Sequence, residues 1–508
     1  MKQILSICVA GLAFLSSCSD WLDVTPGDSV VEEDLFSEAT GFHNALNGVY
    51  EKLSDKKLYG QEMTWGLIDA MGQVYQLYQE DYKNYGIQSY HYYYQAGRFQ
   101  YDANENIKNA FANIWEEGYQ TIVNCNNIIK NIENLDAEQF RYGELEKNMI
   151  KGEAMAARAM LHFDLLRLFA PAPQFDDAKL YIPYVKEFPY YGGQSHLTVK
   201  DAMVEIEKDF LAARDLVMAY DTSDGIHKQL LDTYYRFAIG STIANADDGS
   251  EIEMNAFYFY RGYRLNALAI EAMLARFYSW WGGDKLELAK ECAAYVRDFQ
   301  SMKDKKAFAY SGSNKLKYDR KFRTDLIFCL SYPLLQTEYN EYTLTSSSSY
   351  LAFGGHDIWN DDLADGDDYR KNLIQDNGYW DGQIPLKNVR PAGDDDIITE
   401  TEDMVPMIRL SEMDLIEAEY YASIGNWAKA AELITDVRVG RNCDGSADLG
   451  ITDMATFKKR LLGEVRREYF QEGQTFFYYK KYNEAETLRR GMDAGSFVVP
   501  IPESENIY

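Results

Sequence analysis

Arg409–Val437 reads RLSEMDLIEAEYYASIGNWAKAAELITDV. Arg409–Ile424 has the composition of a helix, Gly425-Asn426-Trp427 is a turn, and Ala428–Val437 starts a second helix with Ala430, Ala431, Leu433 and Ile434. The same plan occurs upstream. Tyr260–Trp281 is rich in Ala and Leu, Gly282-Gly283-Asp284 turns, and Leu286–Phe299 carries Ala289, Ala293 and Val296. Small residues early in the second helix let it lie close against the first, as in a tetratricopeptide-like hairpin. The two copies are degenerate and unevenly spaced. This predicts irregular helical pairs buried in a larger globule, not a regular open solenoid.

Outward from these hairpins, helical periodicity dominates. Asn106–Leu135 places Ile107, Phe111, Ile114, Trp115, Ile122 and Ile129 at three-to-four spacing. Leu145–Phe169 repeats the pattern and stops before Pro171, and Thr198–Ala219 repeats it again. Thr198 followed by Asp201 predicts a helix start. Leu326–Tyr332 (LIFCLSY) predicts a short buried strand. The fold class is therefore mostly α, an irregular helical globule built on tetratricopeptide-like hairpins, with long loops and minor β. It divides into residues 1–17, a leader; 18–250, an N-terminal helical part; and 251–508, a C-terminal part packed with the first as one unit.

The chain has 508 residues, 46% hydrophobic and 26% charged, which excludes disorder for the bulk of it. Its 51 basic and 80 acidic side chains leave a net charge of −29, which repels nucleic-acid phosphates and predicts no nucleic-acid partner. Forty tyrosines are more than a core of this size needs, so some rings are expected at the surface.

Lys2 precedes twelve largely apolar residues, Ile4–Leu15, too few to span a bilayer as a helix. Leu15-Ser16-Ser17-Cys18 then resembles a bacterial lipobox, which predicts acylation of Cys18. Each buried CH₂ of an acyl chain contributes about 0.8 kcal/mol, so two or three chains hold a protein firmly on a membrane. Cys125, Cys292, Cys329 and Cys443 form no C-x-x-C and are expected as free thiols.

Two loop regions are dense in aromatic residues. Gly72–Ala103 holds nine tyrosines, which cannot all be buried with satisfied hydroxyls. Leu330–Gly355 holds Tyr332, Tyr339, Tyr342 and Tyr350, and the acidic stretch after it holds Trp359. A sugar ring offers an apolar C–H face to an aromatic ring, and amide or charged side chains bind its hydroxyls. Loop position selects Tyr75, Tyr78, Tyr339, Tyr350 and Trp359 as expected stacking residues. Loops this long in a compact protein are commonly functional.

No H-E-x-x-H, G-x-S-x-G, P-loop or G-x-G-x-x-G occurs, and six scattered histidines predict neither a zinc site nor a His-based nucleophile. No catalytic residue, cofactor or metal is therefore expected. Asn245–Glu253 and Asp361–Asp368 are acidic enough for Ca²⁺ to be thinkable, but neither meets EF-hand spacing, and both read as solvated loops. Arg409, Glu412, Glu417, Glu419, Arg466, Arg467, Glu468 and Glu472 read as an ion-pair network joining the two C-terminal helices.

Taken in order, several stretches resemble the SusD/RagB family of outer-membrane lipoproteins of Bacteroidota. They are the Cys18–Pro26 start, Phe42–Tyr50 (FHNALNGVY), Arg158–Phe169 (RAMLHFDLLRLF), Leu265–Asp284, Ile408–Glu419 with Val437–Arg441, Val465–Tyr482, and the terminal Val499–Pro502. Gln474 stands where the family pattern has Arg, and Tyr478 or Tyr479 where it has Asp, which predicts aromatic packing in place of a buried pair. Family members carry their ligand site on loops in the same two regions. The resemblance implies a surface-exposed, lipid-anchored glycan-binding protein of the outer membrane. Such a protein captures an oligosaccharide and delivers it to a SusC-like TonB-dependent transporter, without catalysis. A RagB-like peptide ligand, a glycosidase, and a helical-repeat adaptor with no small ligand are the alternatives.

Overall fold

The computed structural model describes residues 34–508, except 238–241, 246–247, 345–346, 348–349, 360–364, 377–381, Asp394, 485–493, Ser504 and 506–508. Cys18 and the leader lie outside the described residues, as do parts of both acidic loops.

The chain is a succession of long helices: α1 (Ala39–Leu53), α2 (Glu105–Asn131), α3 (Gly143–Phe169), α4 (Val199–Asp221), α5 (Ala267–Trp281), α6 (Leu286–Asp298), α7 (Leu410–Ser423), α8 (Trp427–Gly440), α9 (Met454–Tyr469) and α10 (Thr475–Tyr482). From α2 to α8 each packs against the next, which is the tetratricopeptide-like array that the two hairpins predict. Ala289, Ala293 and Ala430 are fully buried at the α5–α6 and α7–α8 contacts. Gly425 turns the second hairpin at φ 74°, a conformation that costs glycine nothing. Thr198 caps α4 by accepting from the Asp201 N–H, as expected. Asn104 caps α2 by accepting from the N–H groups of Asn106 and Ile107.

Sheet is minor. Strand β1 (Leu326–Ser331) pairs antiparallel with β2 (Met404–Arg409), and four further pairs among the described residues have two or three residues per strand. Cys125, Cys292, Cys329 and Cys443 are buried free thiols.

The C-terminal charges form a buried network. Arg409 binds Glu472 (2.9 Å through Nε) and Asp325 (2.9 Å); Arg441 binds Glu468 (2.8 Å) and Asp325; Arg370 binds Asp368, Glu464 and Glu468. Its reach differs from the sequence expectation. Glu412 and Glu417 turn toward the preceding hairpin, to Arg276 (2.6 Å) and Arg297 (2.8 Å), while Glu419 joins Ser279 of that hairpin (2.6 Å) to Lys481 and Tyr482 (2.6 Å) of α10. The network therefore locks three layers together, not two C-terminal helices alone. Gln474 accepts from Arg167 (3.2 Å), and Tyr478 stacks on Tyr469 with centroids 6.1 Å apart, the latter being the aromatic packing that the departures from the family pattern predict.

Candidate functional site

The two tyrosine-rich loop regions converge beside the N-terminal half of α2. Gln61 joins them: its Nε2 donates to the Tyr93 hydroxyl (2.7 Å) and to the Tyr342 hydroxyl (2.8 Å). Trp65 sets its edge against both Tyr339 and Tyr342, with centroids 5.1 and 5.3 Å away. Trp65, Tyr93 and Tyr339 form a buried inner layer. Over it lies an outer layer of Tyr90, His91, Tyr92 and Tyr342, which lines a cleft of about 580 Å³. That volume lies in the ordinary range for small-ligand pockets.

His91 is the N-cap of the short helix Tyr92–Gly97. Its Nδ1 accepts from the Tyr93 N–H (3.2 Å), so the ring proton sits on Nε2. Burial pushes His91 down to about 4, so the imidazole is neutral at physiological pH. Its ring stacks on Tyr92 with centroids 4.6 Å apart, giving the wall a two-ring aromatic face. The Tyr92 hydroxyl donates to Glu62 (2.6 Å). Burial raises Glu62 to about 7, against the pull of that hydrogen bond.

The opposite wall is α2. Asn106, Asn109 and Asn113 face the cleft at spacings of three and four, a ladder about 10 Å long at 1.5 Å per residue. Their carboxamides hydrogen-bond to no described residue. Lysines at the rim are already committed, Lys57 to Glu117 (2.6 Å) and Lys56 to Glu338 (3.7 Å). With Glu62, Glu338 and Glu341 also in the lining, no cation among the described lining residues is left for an anionic group.

The selected stacking residues fall elsewhere. Tyr75 and Tyr339 are fully buried, and Tyr350 is 2% exposed, so none offers a ring face to a ligand. The Tyr75 hydroxyl donates to the Trp65 carbonyl and that of Tyr339 to the Pro385 carbonyl (2.9 Å). These rings support the site from beneath or anchor the loops. Trp359 is half-buried under the Arg467 guanidinium, 6.0 Å from its centroid, and Tyr78 is half-buried outside the cleft lining. The expectation for the set holds: Tyr90 is 69% and Tyr82 95% exposed. Sequence reasoning missed Tyr90, His91, Tyr92 and Tyr342 individually. The available signal was the polar face of α2, whose asparagines recur at helical spacing beside the tyrosine-rich loop.

A cavity of about 610 Å³ lies beside α1, lined by Tyr50, Phe257, Tyr260 and Tyr263 among others. Its polar groups are mostly spent internally. Tyr50 and Arg264 bind Glu153 (2.6 and 2.8 Å), Tyr263 donates to the Glu400 carbonyl (3.1 Å), and the Glu400 carboxylate pairs with Arg323. Among the described residues, no group of three or more His, Cys, Asp or Glu side chains is placed to hold a metal ion.

A helical array carrying an aromatic cleft on its loops defines a class of ligand-binding protein. Residues 20–229 match the family model described as "Starch-binding associating with outer membrane", and residues 353–496 match that of the SusD family. The chain belongs to the SusD/RagB family, whose members are carbohydrate-binding proteins associated with the outer membrane. A SusD superfamily protein of Bacteroides thetaiotaomicron superposes with TM-score 0.67 at 21% identity, covering 92% of this chain and 97% of that one. A SusD-like carbohydrate-binding protein of Bacteroides vulgatus gives 0.61 at 16% identity, covering 88% and 84%. A laminarin-binding SusD-like protein gives 0.63 at 15% identity, covering 92% and 97%. Comparison with curated protein sequences gave no match. No described helix is long and apolar enough to cross a membrane.

Proposed function

We propose that this chain captures a neutral oligosaccharide in the cleft between Tyr90–Tyr92 and α2. The observation that carries the reading is an aromatic wall facing a ladder of uncommitted carboxamides. Stacked rings take the C–H face of a sugar, and each Asn both donates to and accepts from its hydroxyls. Neutral sugars are favoured over uronic acids because the rim lysines are paired and the remaining lining charges are carboxylates. The similarity to a laminarin-binding protein makes β-glucan a reasonable first probe. The role needs no catalytic residue and no cofactor. In this reading Cys18 carries the acyl anchor at the cell surface, and a SusC-like TonB-dependent transporter receives the glycan.

A glycan array beside a peptide library, using the lipid-free chain from Ser19, tests the ligand class. The expected result is saturable binding of neutral glycans, weakened by Tyr90→Ala. Binding of peptides alone, or glycan binding indifferent to Tyr90→Ala, would overturn it. The anchor and the partner are tested separately. Cys18→Ser is expected to release the protein from the membrane fraction, and the wild type to co-purify with a large β-barrel.

A further inference from the structure

We propose that the glycan track continues past this cleft along α2 into a second subsite, between α1 and α2. The inference rests on reading the first cleft as a glycan site. Beyond Asn113, the same side of α2 carries Glu117, Gln120, Asn124 and Asn127. At 3.6 residues per turn, all of these fall with Asn106 and Asn109 inside an arc of about 80°. The carboxamides of Gln120 and Asn124, like those at the first cleft, bond to no described residue. Asn127 accepts from Asn131 (2.6 Å). From Asn106 to Asn127 the row is about 30 Å long.

The row ends in a second cavity of about 410 Å³, with Asn124 and Asn127 on one wall. Its floor is apolar, from Phe36, Ala45 and Ile128, and Lys52 and Asp55 stand at its rim. Between the two cavities, buried Glu117 takes Lys57 of the first (2.6 Å) and Lys52 of the second (3.5 Å). Gly48 lines this cavity. It sits inside α1, where glycine is unfavourable, and a Cβ there would meet nothing within 4 Å. No packing within the fold demands it, yet it keeps the groove open to a close approach.

The occupant is the distal part of the same linear neutral glycan. The polar row runs from the first cleft to the second past the Lys52–Glu117–Lys57 bridge, and a chain on it meets amide groups on one side and apolar surface beneath. Short oligosaccharides fill only the first cleft.

Calorimetry on the full mature chain in detergent tests this, with linear neutral glucans, mannans and xylans each supplied as a trisaccharide and as a long oligosaccharide. The long chain of the preferred backbone is expected to bind about tenfold tighter than the trisaccharide. Gly48→Leu fills the groove with a good helix former whose Cβ meets nothing within 4 Å. It should remove that advantage and leave trisaccharide affinity unchanged, as should Asn124→Ala. Tyr90→Ala should weaken both lengths. Equal affinity for the two lengths, or a Gly48→Leu protein that keeps the long-chain advantage, overturns the second subsite alone. Failure of every glycan to bind overturns the first reading and this one together.

Discussion

The C-terminal core and the α2 cleft use the same kinds of side chain to opposite ends. In the core, Arg370, Arg409 and Arg441 are fully buried, and each meets at least two carboxylates. In the cleft, Asn106, Asn109 and Asn113 meet no described partner, and the rings of Tyr90 and Tyr92 are left partly open. A buried polar group without a partner costs free energy, so a core must satisfy its own. A binding surface must not. The contrast between spent and unspent polar groups is therefore a physical guide to where a ligand sits, and four substitutions test it.

The largest effect is expected at Glu468. Burial alone would raise its carboxyl, but Arg441, Arg370 and Arg409 hold it well below the ordinary carboxylate range. Glu468→Ala takes one carboxylate from each of two buried guanidinium groups, leaving Arg370 with Asp368 and Glu464 and Arg441 with Asp325, and should cost about 3 kcal/mol in urea unfolding. The stabilisation from this depressed group is present above the ordinary carboxylate range and is lost as pH falls through the lower folded value. Glycan affinity of the folded fraction should be unchanged.

Glu62 should show the reverse pH dependence. Its folded value near 7 means that the folded chain keeps a proton which the unfolded chain sheds near pH 4.5. Its contribution to stability is full below that range and disappears as pH rises to about 7, a loss of about 3 kcal/mol. Unfolding measured across pH 4–8 should show this slope in the wild type and a flatter one in Glu62→Gln.

Tyr90→Ala, at an exposed ring, should leave the melting temperature unmoved and weaken glycan binding by about 1 kcal/mol, read by calorimetry. Asn109→Ala removes one carboxamide-to-hydroxyl hydrogen bond and should cost slightly less, about 0.5–1 kcal/mol of binding. A loss of stability in either variant would mean that its side chain is spent on the fold after all, and the contrast with the core would fail there.

Much of the fold was legible in the chain. The apolar spacing of 106–135, 145–169 and 198–219 marks real helices because a helix buries one stripe whatever its neighbours are. The alanine-rich hairpins and the cap at Thr198 are equally local. Glu412, Glu417 and Glu419 were legible as structural charges, but not their partners, since Arg276 and Arg297 lie more than a hundred residues away in the chain. The site was legible as two regions and not as residues. Loops carry no period, so Tyr75 and Tyr90 look alike in sequence. Tyr75 is inside because the Trp65 carbonyl receives its hydroxyl, and Tyr339 is inside because the Pro385 carbonyl does the same.

By itself the sequence determined a helical-repeat chain with aromatic loops, an acidic surface, and the family to which it belongs. These follow from composition, periodicity and motifs that neighbouring residues enforce. Only the tertiary structure decided which rings face outward and which amides stay unspent. Both depend on long-range partners that chain folding brings together, and a one-dimensional pattern does not record them.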